Sequence, residues 1–139
     1  MTTPNEISIS SRPGLRVGID IASVAMVRAA LGAFGDRYLR RIYRDDEAAY
    51  ACAAPALTAE RLAARFAAKE ATIKAFGWSQ AGVAWHDIEV RRGADGAPRL
   101  ALHGKAAALA LASGCNEIAV SLSHEDGQAC AIVVAQSLA

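Results

Sequence analysis

No unbroken apolar run in this chain reaches the roughly 20 residues that a membrane span requires, so no transmembrane segment is expected. The opening stretch MTTPNEISISSRPG lacks the basic start and apolar centre of a signal peptide. It is expected to form a flexible polar arm over residues 1–14. Cys52, Cys115 and Cys130 are odd in number and have no CxxC or histidine-linked spacing. Neither a disulfide framework nor a zinc site is expected from them, and reduced thiols fit a soluble, cytoplasmic protein. The net charge is only +1, which gives no strong pull toward nucleic acid or a membrane surface. Aromatic residues make up 6% of the chain, so the core must be built largely from alanine and other small side chains. No GxSxG occurs, which excludes the nucleophile elbow of a serine hydrolase.

What is present fits one domain of 139 residues. Leu15 to Asp20 alternates apolar and other residues, predicting a short half-buried strand, and the apolar spacing turns helical from Ile21 to Leu31, with Gly32 and Gly35 at its end. Arg37, Arg40, Arg41 and Arg44 crowd a segment that fits helix or irregular turn. Asp45 or Asp46 can cap a short helix running through Tyr50, broken by Pro55. Thr58 can cap a long helix over Ala59–Phe76, with Gly77 at its left-handed end. Asp87–Val90 and Arg99–Leu102 predict strands around a turn at Asp95-Gly96. A helix follows over Lys105–Ala112. Glu117–Ser123 and Gln128–Val134 predict a hairpin. Helices with antiparallel hairpins in one domain, residues 15–139, indicate an α+β fold, a small antiparallel sheet packed with a long central helix.

Three clusters carry chemistry. At about 100° per residue, Leu62, Phe66, Ile73 and Phe76 fall on one stripe of the long helix, the expected core face, and Lys69 lands inside it. Glu70 and Lys74 border the stripe at i, i+4, and Arg65 borders its other side. A surface ion pair with snorkelling stems would explain the margin. Lys69, however, needs an anion opposite it, and basic groups beside a carboxylate suit a phosphate ligand with a bridging metal. Asp20, between a strand and a helix, is either a helix cap or a second carboxylate for that metal. Ser121 and Ser123 share a strand face, with His124 at the start of the turn. They suit phosphate binding and turn chemistry equally. His86 and His103 have no motif around them and read as surface residues.

Val17-Gly18-Ile19-Asp20, then Arg65-Phe66-Ala67-Ala68-Lys69-Glu70-Ala71 continuing to Lys74-Ala75-Phe76-Gly77, then Val120-Ser121-Leu122-Ser123-His124 closely resemble, in order and spacing, the holo-acyl-carrier-protein synthase family. The resemblance implies the 4′-phosphopantetheinyl transferase fold and an enzyme that moves the 4′-phosphopantetheine arm of coenzyme A onto a carrier-protein serine. It implies Mg²⁺ on Asp20 and Glu70, Lys74 on the diphosphate, and Arg65, Lys69, Ser123 and His124 along the nucleotide and its phosphates. The catalytic pair is Glu70 and Lys74. The base is Glu70 or a metal-held water, and adenosine 3′,5′-bisphosphate leaves. It also implies a homotrimer with sites at subunit interfaces, serving an acyl carrier protein or a polyketide or peptide carrier domain.

Two positions depart from the family pattern. Ser23 stands where glutamate is usual and Met26 where arginine is usual, with Arg28 two residues later. The change bears on carrier recognition, for which Arg28, Arg37, Arg40, Arg41 and Arg44 are available. The alternative function is a coenzyme A or nucleotide-binding module without transferase activity, which would keep the phosphate cluster and lose a metal ligand. A carrier itself would present Asp-Ser at a helix start, whereas Asp20 is followed by Ile21.

Overall fold

The computed structural model describes residues 14–137. The arm over residues 1–13 lies outside them, while Gly14, counted with it, already accepts a hydrogen bond from the Ser137 amide at 2.9 Å. The elements run β1 (Leu15–Ser23), α1 (Val24–Phe34), α2 (Asp36–Ile42), α3 (Asp45–Cys52) and α4 (Thr58–Phe76), then β2 (Ile88–Arg92), β3 (Pro98–Leu102), α5 (Gly104–Ala112), β4 (Glu117–Glu125) and β5 (Gln128–Gln136). Single 3-10 turns occupy Pro55–Leu57 and Trp85–Asp87. The expected α+β class is borne out, with a three-stranded antiparallel sheet in the order β1-β5-β4 and a separate β2-β3 hairpin. No described helix is long and apolar enough to cross a membrane, and the three cysteines are free.

Several boundaries move. The first strand continues to Ser23, and Ser23 caps α1 by accepting from the Met26 amide at 3.2 Å. Asp20 is therefore a residue within a strand and not a helix cap. Gly32 lies inside α1, which ends at Gly35, and the arginine-rich segment is helical as far as Ile42. Arg44, not an aspartate, is the cap of α3, its amide held by Glu47 Oε1 at 3.0 Å. Thr58 is the first residue of α4 rather than its cap, and Gly77 closes the helix in the left-handed region as expected. β4 extends through His124 to Glu125, so the turn contracts to Asp126-Gly127, both at positive φ. That is the two-residue geometry that matches strand twist.

α4 lies across the sheet with most of its circumference covered, not one narrow stripe. Leu62, Ala63, Ala67, Ala68 and Ala71 are fully buried, while Phe66 and Ile73 are only partly so. The first strand is half-buried as expected, with its smaller residues inside. Gly18 and Ala22 face the helix, and Leu15, Val17, Ile19 and Ile21 face out. The cause is the closeness of strand and helix: a Cβ on Gly18 would lie 2.0 Å from the Ala71 carbonyl oxygen and 2.7 Å from the Ala75 amide nitrogen. Only glycine fits there. Alanines on β5 (Ala129, Ala131, Ala135) extend the same tight seam.

Candidate active site

The Gly18 contact sets β1 against α4, and the next helix-facing residue along the strand is Asp20. Its Oδ1 lies 2.8 Å from Lys74 Nζ, which also donates to the Ile19 carbonyl at 3.2 Å. The Asp20 hydrogen bond raises the Lys74 ammonium above its ordinary value. Glu70 stands one turn before Lys74, half-buried, and accepts no hydrogen bond from any described residue. Burial first, and then the neighbouring Asp20 charge, push its carboxyl up, with Lys74 opposing. The sequence-predicted trio Asp20, Glu70 and Lys74 is thus brought together. Its donor set fits a divalent cation. Magnesium commonly takes one or two carboxylates and fills its remaining positions with water and phosphate oxygens, and a cation would relieve the like-charge strain between Asp20 and Glu70.

Arg65 lies on another side of the helix, 5% exposed, with its guanidinium carbon 4.4 Å from the Tyr50 ring centre. Arg61 and Arg92 approach the same ring at 4.2 and 5.1 Å. Arg61 also donates to the Tyr50 carbonyl at 2.8 Å, and Arg92 to the Tyr50 hydroxyl. None of the three pairs with a carboxylate among the described residues, and the buried Arg65 Nε has no partner. Burial and the two neighbouring arginines lower the Arg65 guanidinium, against the raising effect of Glu47 and Tyr50. A cavity of about 360 Å³ opens here, lined by Arg65, Arg92, Gly96, Pro98, Ser121 and Leu122. Tyr50, Arg61 and Arg92 escaped sequence reading, although Arg61 precedes Arg65 by one helical turn.

Lys69 departs from its expected placement along the nucleotide. It is fully buried, and its Nζ donates to Glu47 Oε1 at 2.8 Å, to the Trp85 carbonyl at 3.2 Å and to the Ile88 carbonyl. The anion that the stripe position demanded is Glu47, on α3. Burial lowers the Lys69 ammonium, and the Glu47 carboxylate opposes that shift. Breaking such a pair leaves an uncompensated buried charge, so Lys69→Met alone should cost roughly 3–5 kcal/mol in urea unfolding. A loss below about 1 kcal/mol would contradict the pairing.

Ser123 lies on the open sheet face opposite Cys130, with Ser121 on the same face. His124 is not in the turn. It points to the helix side and pairs with Glu60 at 3.0 Å. Glu60 precedes Glu70 by ten residues on α4, about 15 Å along a helix axis, so one chain does not bring His124 to Asp20. His86 and His103 are not plain surface residues either. His86 Nε2 donates to the Arg40 carbonyl, and His103 Nε2 lies 2.7 Å from the buried Glu89. Ser23 is spent on its helix cap, and Met26 projects with 74% of its surface exposed.

Residues 16–133 match the family model of the 4′-phosphopantetheinyl transferase superfamily. A holo-acyl-carrier-protein synthase from Koribacter versatilis is 46% identical over 121 residues, covering 86% of this chain and 96% of the relative. One from Desulforudis audaxviator is 42% identical over 121 residues, covering 87% and 92%. Among solved structures, the Helicobacter pylori synthase in complex with coenzyme A superposes with a TM-score of 0.73 at 27% identity, covering 86% of this chain and 99% of that one. The Chronobacterium ammoniagenes ACPS-CoA complex gives 0.77 at 27% identity, covering 90% and 98%. With Asp20, Glu70 and Lys74 gathered where α4 meets β1, and with near full-length relatives on both measures, this chain belongs to the holo-acyl-carrier-protein synthase family of 4′-phosphopantetheinyl transferases.

Proposed function

We propose that this chain transfers the 4′-phosphopantetheine arm of coenzyme A to a carrier-protein serine with magnesium held by Asp20 and Glu70, releasing adenosine 3′,5′-bisphosphate in the cytoplasm. The observation that carries the reading is the convergence of Asp20, Glu70 and Lys74 across the Gly18 seam. When bound, magnesium supplies charge neutralisation at the diphosphate. Lys74, released from Asp20, meets the diphosphate oxygens and stabilises the departing bisphosphate. Positioning and charge neutralisation dominate such a reaction, since little covalent work falls to the protein. Glu70 or a metal-held water would take the serine proton. The arginines around Tyr50 and the adjoining cavity suit the nucleotide end, because three unpaired guanidiniums favour a phosphate. The deciding experiment is incubation with coenzyme A, Mg²⁺ and an apo carrier, followed by intact mass of the carrier. No mass increase, with coenzyme A bound, would leave a binding module.

Lys74→Ala should lower kcat by roughly 10²–10³-fold, the scale of one preorganised electrostatic contact, with a smaller rise in KM for coenzyme A. Weaker coenzyme A binding at unchanged turnover would reduce Lys74 to a binding residue.

Assembly as a homotrimer is supported by the outer face of the main sheet. Val17, Ile19 and Ile21 of β1 stand beside Val134, Ile132 and Cys130 of β5 in register, and large contiguous apolar patches on a soluble protein mark an interaction surface. Neighbouring subunits would bring the β4 edge of one sheet, which carries Ser123 and His124, to the β1 edge of the next, which carries Asp20. Ile132→Lys should therefore convert the trimer to monomers in light scattering and lower transfer at least tenfold; a fully active monomer would exclude shared sites.

The carrier fits a groove of about 410 Å³ lined by Phe34, Arg37, Tyr38, Arg41, Phe66 and Trp85, apolar with basic edges, as an acidic carrier helix requires. Arg44 is committed elsewhere, to the His86 carbonyl at 2.7 Å.

A further inference from the structure

Lys69 and Glu47 carry a role that the transfer reaction does not by itself require. The pair is closed on all sides. Lys69 spends its ammonium on Glu47 and on the carbonyls of Trp85 and Ile88. Glu47 accepts in addition from the amides of Arg44 and Val90, at 3.0 and 3.1 Å. Four segments therefore meet at one buried ion pair: the start of α3, the middle of α4, the Trp85–Asp87 turn and β2. Burying two charges is a poor way to gain stability, since a well-packed apolar pair often does as well or better. What the pair adds is direction, because each hydrogen bond fixes an angle that apolar contact leaves free.

That direction falls on the rotation of α4 about its own axis. Counted at about 100° per residue, Lys69 lies about 160° around the helix from Ala71 and about 120° from Ala75, the two positions against Gly18. The helix is held from both sides, by a directional clamp at Lys69 and by a steric clamp at Gly18. Glu70 and Lys74 occupy the flank between the clamps, facing Asp20. A roll of the helix that neither clamp could resist alone would swing Glu70 and Lys74 past Asp20. We infer that Lys69 and Glu47 are positioning residues that set the roll of α4 and so hold Glu70 and Lys74 in register with Asp20.

This role rests on the transferase reading, and its test separates the two. The double variant Glu47→Gln/Lys69→Met removes both charges together, so no charge is left buried alone, and the glutamine keeps an acceptor for the Val90 amide. Melting temperature, kcat and KM for coenzyme A, and calorimetric affinity for coenzyme A with and without Mg²⁺ are measured on this variant and on the wild type. Positioning predicts a melting temperature near that of the wild type. It predicts kcat lower by on the order of tenfold to a hundredfold, the cost of roughly an ångström of misplacement. It also predicts KM within about threefold, and a smaller gain in coenzyme A affinity on adding Mg²⁺. A double variant as stable as the wild type, with wild-type kcat and wild-type response to Mg²⁺, overturns the inference. Should the double variant not fold, Glu47→Asp decides. It keeps the charge while shortening the arm, and must lower kcat at unchanged KM; wild-type kcat in that variant overturns the role equally. A wild type that loads no carrier overturns the functional reading instead, and the Mg²⁺ response of coenzyme A affinity then judges the positioning role alone.

Discussion

Glu70→Gln is expected to reduce transfer below about one-thousandth of the wild-type rate, a loss of roughly 4 kcal/mol in barrier lowering, while leaving the protein folded. The glutamine is nearly the same shape, and Glu70 accepts no hydrogen bond within the described residues that the change would break. On the proposed reading, the loss falls on the charge with which Glu70 would hold magnesium. Stability should move the other way. The folded-state pKa of Glu70 is raised above its ordinary 4.5 by burial and by Asp20. A group shifted upward contributes stability that is fully present below the unfolded value and fades as pH rises through the folded value. In metal-free protein, the ionised carboxylate is therefore a liability at neutral pH. Glu70→Gln should match or exceed the wild-type melting temperature there and flatten the decline with pH. EDTA should stop the wild-type enzyme. Near-normal rates for Glu70→Gln in saturating Mg²⁺ would remove Glu70 from the metal site.

Gly18→Ala should be the most damaging single methyl in the chain. The new Cβ would meet backbone atoms at 2.0 and 2.7 Å, which no rotamer change relieves. The strand and the helix must separate. Overpacking usually costs about 1–3 kcal/mol, and a clash with the backbone of α4 belongs at the top of that range or beyond it. About 10 °C in melting temperature is the corresponding scale for a domain of this size. Transfer should fall further than stability alone explains, because Asp20 lies two residues along and is carried away from Glu70 and Lys74. Ala71→Gly should not rescue the variant, since the obstacle is the Ala71 carbonyl and not its methyl group. Rescue, or a melting temperature within about 2 °C of the wild type, would show that the seam is looser than the structure describes.

The parts legible in sequence are those whose partners are local. The i, i+4 spacing of Glu70 and Lys74 and the left-handed stop at Gly77 need only the helix they belong to. Lys69 shows where local reading ends. Its stripe position correctly demanded an anion, but the anion is Glu47, 22 residues away on another helix, and helical period has no means of reaching it. The Arg61–Arg65–Arg92 grouping fails for the same reason, since the hairpin that supplies Arg92 closes on Tyr50 only in three dimensions. The half-buried strand expected at β1 is present, but which of its faces is inside was not legible in the sequence. Alternation identifies two faces without saying which is inside, and the larger apolar residues lost the inner face to Gly18 and Ala22 because the helix comes too close. Asp20, Ser123 and His124 were picked out through their motif order. The structure gathers the first with Glu70 and Lys74 and leaves the other two on β4, with His124 against the start of α4 and Ser123 on the open face of the sheet.

The strand order has a consequence for how the protein is made. β1 pairs along its whole length with β5, residues 15–23 against 128–136, and β5 is also the centre of the sheet. During synthesis the strand bearing Asp20 emerges early and waits for a partner more than a hundred residues behind it. Closing that gap carries the entropy of a long loop, so the sheet should be the slow, late event of folding. Until it closes, the Leu15–Ile21 stretch is an unpaired apolar strand, the kind of segment that aggregates or recruits chaperones. A nascent chain that stops short of Gln128 can form helices but cannot hold Asp20 against Glu70. The meeting of Asp20 with Glu70 and Lys74 is thus withheld from every product of the ribosome that ends before β5.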